Sequence, residues 1–483
     1  MVMVSTLRAI GTLLWSISVR AEWASSLSED LHLDLRGPRL RDGLMEALRD
    51  AIRTGRLVPG AKLPSSRTLG ADLGIARNTV AQAYAELVAE GWLTARQGAA
   101  TRVAPRAEIA PAPAVPKPAS RHRIVHDLRP GQPDLSAFPR ADWLKAARRA
   151  LTDAPDDAFG YGDPYGRPEL REAVAAYLAR TRGVRAHPDQ IMLGTGTSHS
   201  LMVLAEVLKQ RETRAVAVES YGLQVHRAHL TKVGLATPQL PVDTDGARVE
   251  RLNDLPDVGA VLLTPSHQFP TGVALHPDRR AAVVDWARRT GGLVLEDDYD
   301  GEFRYDRSPV GAMQGLDPEH VIYLGTTSKA LAPGVRLGWM VLPPRIARAA
   351  AEAKGDRDPF SGVLDQLTMA EFITSGSYDR HIRAMRLHYR RRRDQLVAAL
   401  AEHAPNTRVT GLSAGLQVLV DVPSGEEDAV VQGSAWQGLA MHGLGAFRHP
   451  EAPADRDALV IGFSTPSASA WSGALAALCR VLP

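Results

Sequence analysis

Tyr323-Leu-Gly-Thr-Thr-Ser-Lys-Ala-Leu-Ala-Pro-Gly-Val-Arg-Leu-Gly338 follows Val321-Ile322, so a short apolar run ends in hydroxyls, a lysine and, a little further on, an arginine. The run Val321 to Leu324 is too short for an ordinary helix and reads as a buried strand. Working outward, similar runs occur at Gln190 to Leu193, Ala215 to Val218, Ala260 to Leu263, Leu293 to Glu296 and Leu337 to Leu342, separated by helical stretches. Strands alternating with helices imply an α/β domain with a mainly parallel sheet, whose ligands sit at the carboxyl ends of strands.

Three polar clusters follow these strands. Gly194-Thr195-Gly196-Thr197-Ser198-His199 leads into a helix expected over Ser200 to Leu208. Such a turn is either a phosphate cradle at a helix start or a glycine turn needed for purely steric reasons. Glu296-Asp297-Asp298-Tyr299-Asp300 ends an apolar strand; so many carboxylates must be solvated, face a cation or bind a metal. In Thr326-Thr327-Ser328-Lys329, with Arg336 beyond, the lysine is placed to hold an aldehyde as a Schiff base and the arginine a phosphate. Together they offer a lysine for an aldehyde, an acid for a ring nitrogen, a tyrosine for a ring hydroxyl and a phosphate cradle. Pyridoxal 5′-phosphate requires that set.

The rest of the chain bounds its class. With 483 residues, 45% of them hydrophobic, it has ample length for two or three domains. A single cysteine excludes an internal disulfide, and no Cys/His cluster has zinc spacing, which fits the reducing cytoplasm. No run of eighteen apolar residues is present to span a membrane. The apolar stretch Ile10 to Val19 lacks a clear signal-peptide cleavage site, so residues 1–30 are expected to be a disordered extension or to follow an unused upstream start. Charge is nearly balanced, 57 Lys+Arg against 54 Asp+Glu, but residues 31–103 carry eleven basic side chains and seven acidic ones. Any affinity for nucleic acid is therefore local. Ala104 to Ser120, with five prolines, reads as a semi-rigid spacer, and residues 104–125 form the linker.

Ahead of the linker, Leu40, Leu44, Leu48 and Ile52 mark one apolar helical stripe ended by Gly55. Ser65-Ser66 are N-cap types for a short helix reaching Leu73, and a third helix spans about Arg77 to Glu90. In a helix-turn-helix, the start of the second helix meets base edges, where Arg77, Asn78 and Thr79 offer a guanidinium, an amide and a hydroxyl. Trp92 to Arg96 and Thr101 to Val103 then flank Gln97-Gly98 as a basic hairpin wing.

LPSSRTLGADLGIARNTVAQAYAELVAEGWLTARQGAATRV, within Leu40 to Val103, resembles the winged helix-turn-helix of GntR-type regulators. That resemblance puts Arg67, Arg77, Asn78, Thr79, Gln97 and Gly98 at DNA-contacting positions, with Arg67 toward phosphate. The wing departs from the usual Gly-Ser-Gly-Thr at Gly98-Ala99-Ala100-Thr101, and Ala81 replaces an arginine of some relatives. From about Asp127 onward, Thr264-Pro-Ser-His-Gln-Phe-Pro-Thr-Gly272, Glu296-Asp-Asp-Tyr-Asp-Gly-Glu-Phe303 and the opening segment resemble the aminotransferase-like half of MocR/GabR regulators. The implied architecture is a winged helix-turn-helix over 31–103, a linker, and a pyridoxal-phosphate-binding fold-type I aminotransferase-like domain over 126–483.

By resemblance, Lys329 forms the Schiff base with the cofactor, Asp297 pairs with the ring nitrogen (Glu296 is the second choice) and Tyr299 reaches the ring hydroxyl. Thr197, Ser198, Ser328 and Arg336 hold the phosphate, and Tyr161 reaches the phosphate of a partner subunit, which implies a homodimer. No metal is implied. Three positions depart from the pattern. Leu223 replaces a cofactor-covering aromatic, a role left to Tyr221; Gln417 occupies a frequent histidine position; and Val460 replaces the arginine that clamps a substrate carboxylate. The Arg-rich stretch Arg380, Arg383, Arg386 and Arg390 to Arg393 is expected to be a solvated helix face with partners in the dimer. The expected function is a cytoplasmic transcription regulator that binds double-stranded operator DNA and senses pyridoxal phosphate or a reactive amine, in control of vitamin B6 or amine metabolism. Its rivals are a working aminotransferase with an accessory head and a constitutive DNA-binding scaffold.

Overall fold

The structure, a computed structural model, describes residues 40–96, 99–105, 124–305, 310–355 and 362–482. The extension over 1–30, most of the linker, Gln97 and Gly98 lie outside the described residues. The chain divides into two compact units, Met1–Ala119 and Ser120–Pro483.

In the first unit, α1 (Leu40–Arg53), α2 (Ser66–Asp72) and α3 (Arg77–Ala89) precede an antiparallel wing of β1 (Leu93–Thr94) and β2 (Arg102–Val103). Leu44, Leu48 and Ala51 pack with Leu69, Val80, Ala83 and Leu87 in one buried cluster. Leu40 is exposed and Ile52 only half-buried. A strict four-residue spacing drifts around a 3.6-residue helix, so Ala51 rather than Ile52 completes the buried face. Ser65 caps α2, its Oγ accepting from the Thr68 N–H at 3.1 Å. Ala76 ahead of α3 makes no side-chain cap, which leaves the N–H groups of the first turn to solvent or to a ligand.

The second unit begins with β3 (His126–Asp127), α4 (Arg140–Asp153) and α5 (Pro168–Arg182). Then come β4 (Ile191–Gly194), α6 (Thr197–Gln210), β5 (Ala215–Glu219), α7 (Gln224–Lys232) and β6 (Gln239–Leu240). The hairpin of β7 (Val242–Asp243) and β8 (Gly246–Ala247) precedes β9 (Val258–Leu263), α8 (Pro277–Thr290), β10 (Leu293–Asp297), β11 (Val321–Thr326) and β12 (Gly338–Val341). Helices α9 (Pro344–Gly355), α10 (Val363–Thr374) and α11 (Ser377–His403) lead to β13 (Arg408–Thr410) and β14 (Gln417–Asp421). The chain ends with α12 (Glu427–Trp436), β15 (Leu439–Ala440), β16 (His442–Gly443), β17 (Ala458–Gly462) and α13 (Trp471–Val481).

Seven strands form a sheet in the order β4-β12-β11-β10-β9-β5-β6. β12 runs antiparallel to both neighbours and the other pairs are parallel. The sheet is thus mixed, because residues 327–337 between β11 and β12 leave no room for the helical crossover that a parallel pair needs. A second, antiparallel sheet, β13-β14-β17-β16, is one the strand-and-helix alternation does not predict. It carries Gln417 and Val460.

Candidate cofactor site and DNA-binding face

The carboxyl ends of the parallel strands and the amino end of the reversed β12 share one edge of the large sheet. A cavity of about 400 Å³ opens there, and its wall includes Thr197, Ser198, Asp297, Tyr299, Ser328, Lys329 and Arg336. The structure brings these seven residues together from four separate strand ends. α6 starts at Thr197, earlier than the expected Ser200, so Thr197 and Ser198 occupy its first turn. The turn ahead of it needs glycine: Gly196 has φ +107°, and a Cβ on Gly338 would meet the Gly196 Cα at 2.8 Å. His199 steadies the turn by accepting the Thr195 N–H at 3.2 Å. Arg336 holds φ at 55°, a left-handed conformation that costs a non-glycine residue about 1 kcal/mol or more and clusters at functional sites.

Lys329 donates from Nζ to the Gly131 carbonyl. Burial pushes its pKa below the usual lysine value, opposed by Asp297 and Asp300. Asp297 is the complementary oddity. It is 4% exposed, and its Oδ1 has no hydrogen-bond partner among the described residues. Burial and the neighbouring Asp298 push its pKa up to about 8, with Lys329 pulling the other way. A cation against Oδ1 would stabilise the carboxylate and bring that pKa down. His226 Nδ1 lies 3.9 Å from Asp297 Oδ2, but burial lowers the His226 pKa to about 3. The contact is therefore between a carboxyl and a neutral imidazole, not an ion pair.

Tyr299 accepts from Gln417 Nε2 at 2.9 Å, and its ring meets Phe269 edge-on at 5.9 Å. His267 Nδ1 lies 3.2 Å from the Tyr299 oxygen and 2.8 Å from Asp300 Oδ2. An ionised carboxylate only accepts, so Asp300 takes the His267 N–H and leaves the Tyr299 O–H free to donate into the cavity. Tyr221 also lines the cavity, on the wall that carries Leu223. Val460 is fully buried in β17.

Several expectations are corrected. Glu296 cannot serve as the alternative acid. Successive strand residues face opposite sides, and Glu296 turns away from the cavity to accept the Met313 and Gln314 N–H groups at 2.8 and 2.9 Å. Asp298 pairs with Arg182 at 2.7 Å and accepts from Tyr323 at 2.8 Å. Among the described residues, no group of three or more His, Cys, Asp or Glu side chains is arranged to hold a metal. The Arg-rich stretch of α11 is only partly a solvated face: Arg392 is 3% exposed, bonded to Asp134 at 2.9 Å and to the Phe463, Ser464 and Pro466 carbonyls. Tyr161 stands apart from the cavity, 96% exposed. Sequence reasoning missed His226, Glu219, His442 and Arg227 on the cavity wall. Lone histidines and an isolated arginine carry no spacing signal, although Glu219 at the end of an apolar strand could have been found by the logic that found Asp297.

In the first unit Arg67, Arg77 and Asn78 are exposed and Thr79 is half-buried. Arg41 and Arg49 are instead engaged with Glu86 and Glu90, at 3.0 and 2.7 Å, fastening α1 to α3. The basic side chains thus divide into a structural set and an exposed set around the uncapped start of α3.

Residues 40–103 match the gntR family of bacterial regulatory proteins, and residues 123–446 match the aminotransferase class I and II family. The chain is 33% identical to the probable rhizopine catabolism regulatory protein MocR of Rhizobium meliloti, over 80% of this chain and 83% of that one. It is 32% identical to the pyridoxine biosynthesis transcriptional regulator PdxR of Corynebacterium glutamicum, over 83% of this chain and 87% of that one. The chain belongs to the MocR-type transcriptional regulators. Among solved structures, this regulator is similar to an archaeal alanine:glyoxylate aminotransferase, with a TM-score of 0.68 and 26% identity over 74% of this chain and 90% of that one. A kynurenine aminotransferase of Pyrococcus horikoshii, solved with PMP, matches with a TM-score of 0.66 and 27% identity over 75% of the regulator and 91% of that chain. The regulator therefore has a fold-type I aminotransferase fold behind its helix-turn-helix, and its cofactor is pyridoxal 5′-phosphate. The cavity fits such a group: the buried, partnerless Oδ1 of Asp297 suits a ring nitrogen, and the small-residue cradle suits a phosphate. Among the described residues no helix is long and apolar enough to cross a membrane.

Proposed function

We propose that residues 31–103 bind operator DNA, residues 104–125 tether them, and residues 126–483 act as a pyridoxal-phosphate-dependent sensor. In this reading Lys329 and Asp297 anchor the cofactor's carbonyl and ring nitrogen, and Tyr299 donates to its ring hydroxyl. Thr197, Ser198, Ser328 and Arg336 hold its phosphate. When bound, the cofactor supplies an electrophilic carbonyl conjugated to an electron-withdrawing ring. The chain's own part is to fix that group, keep a proton balance between Asp297 and Lys329, and exclude water. Arg67, Arg77, Asn78, Thr79, Gln97 and Gly98 contact the DNA. The working unit is a homodimer in the cytoplasm, with Tyr161 completing the phosphate site of its partner. Its loop lies by α4 and α10, where Leu144, Leu151, Phe159 and Leu364 are exposed apolar side chains that a second copy would cover.

One observation carries the regulatory reading: buried, apolar Val460 stands where a turnover enzyme of this pattern needs a carboxylate-clamping arginine. Effective transamination is not expected, and the effector is pyridoxal phosphate or an amine that reacts with it, tied to vitamin B6 or amine metabolism. Two heads on one body bind two half-sites, and a change in the body alters the effective concentration of the second contact. The test is the visible absorbance of the protein with pyridoxal phosphate, beside Lys329→Ala, together with operator binding across a salt series. A cofactor band that requires Lys329, operator binding that weakens with salt and responds to the cofactor, and negligible turnover are expected. Steady turnover of an amino acid with a keto acid would favour the working aminotransferase.

A further inference from the structure

Arg227 on α7 lines the cofactor cavity. Its Nη1 is buried without a hydrogen-bond partner among the described residues, and its Nη2 makes only a 3.4 Å contact with the Arg448 carbonyl. Other buried guanidinium groups of this unit are well supplied. Arg182 has Asp298 and Ser266, Arg280 has three backbone carbonyls, and Arg392 has Asp134 and three carbonyls. Withdrawing a cationic donor from water without an acceptor costs more than the average hydrogen bond returns. Such a group on a cavity wall is an acceptor site awaiting a ligand.

A second donor flanks the same wall. His442 also lines the cavity, and its ring meets the Phe447 ring edge-on at 5.6 Å. Phe447 is joined to the α7 side through the Gly222 N–H, which donates to its carbonyl at 2.9 Å, and it immediately precedes the Arg448 that Arg227 touches. His442 is also the cross-strand partner of Val460. Directly opposed residues of an antiparallel pair project from the same face, so an imidazole occupies the face that residue 460 addresses. Burial and Arg129 lower the His442 pKa, leaving a neutral ring that can donate one N–H. Glu219, on the opposite part of the wall, is occupied as an acceptor by Thr264 at 2.5 Å and by Gln268.

We propose that Arg227, with His442 beside it, receives the anionic group of the amine effector, so that the ligand class is an aminocarboxylate and not a simple amine. This rests on the reading of the cavity as a cofactor-bearing effector site. It supplies the carboxylate contact that Val460 removed, from a different element and direction.

The test uses the full-length protein loaded with pyridoxal phosphate, titrated at fixed pH and ionic strength with glycine, β-alanine, 4-aminobutanoate and n-propylamine. The readout is the concentration that half-changes the cofactor's absorbance. At least one aminocarboxylate acts roughly 10- to 100-fold below n-propylamine, the worth of a hydrogen-bonded charge contact. Arg227→Gln brings the two classes together, Arg227→Lys keeps part of the preference, and His442→Phe narrows it by a smaller factor. Equal response of the wild type to both classes overturns the proposal, as does a loaded protein indifferent to every probe. A preference that survives Arg227→Gln also overturns it; should that variant fail to fold, an undiminished preference in Arg227→Lys serves instead. Absence of a cofactor band before any amine is added overturns the cofactor reading itself, which keeps the two failures distinct.

Discussion

Arg77 and Asn78 stand exposed at the start of α3, above a small core that closes without them, whereas Asp297 and Tyr299 are enclosed among buried carboxylates and aromatics. In the head, what binds and what folds are different residues. In the body they are neighbours in sequence: Asp297 faces the cavity without a partner, while Asp298 is bonded to Arg182 and Tyr323. A surface that reads DNA can be altered at little cost to stability, since surface changes usually shift it by under about 0.5 kcal/mol. A buried site obliges the fold to supply a partner for every charge it does not reserve for a ligand.

The largest expected effect tests that obligation. Arg182→Ala strands Asp298 in the core and should cost about 3–5 kcal/mol, read as a lower urea midpoint with unchanged slope. A loss below 1 kcal/mol would mean that the pair is not structural. Asp297→Asn should do the opposite, leaving the melt of the cofactor-free protein unharmed while weakening pyridoxal phosphate by about 1.5–3 kcal/mol, the worth of one charge-assisted contact, measured by absorbance titration.

The same residue gives a pH signature. Its folded pKa of about 8 lies above the unfolded carboxyl value, so over the interval between the two the folded state holds the extra proton. Its contribution to stability is thus present below the unfolded pKa, falls as pH rises, and levels off above about 8. Melts from pH 4 to 9 should show the cofactor-free wild type losing ground to Asp297→Asn across that range; a constant gap would mean that Asp297 is ionised throughout.

In the head, Arg77→Ala should weaken operator binding by about 1–3 kcal/mol with no change in its melting, whereas Ser65→Ala should lower stability by about 1 kcal/mol. If Arg77→Ala destabilised the fold as much as it weakened binding, the separation of roles in the head would fail.

The strand-end clusters were readable because parallel strands present their carboxyl ends together, so Thr197, Asp297 and Lys329 converge once the alternation is recognised. The reversed β12 was not, since an apolar run carries no direction and only the length of the connection from β11 hints at it. Asp298 looked interchangeable with Asp297 until Arg182, far away on α5, took it. Arg392 looked like one more surface charge, because a run of arginines conceals the member whose side chain turns inward. His226 and His442 were invisible for the same reason in reverse: a single histidine becomes informative only through what it faces.

The turn from β11 back into β12 also governs how this chain tolerates insertion and deletion. Lys329 and Arg336 ride on the same connection, and both of its ends are fixed by the pairing of Thr326 with Gly338. Substituting one residue on it gives a graded loss, because the other keeps its place. Removing a single residue from it shifts both groups at once, along with the close approach of Gly338 to Gly196, so the segment acts as a caliper whose length is constrained more tightly than its composition.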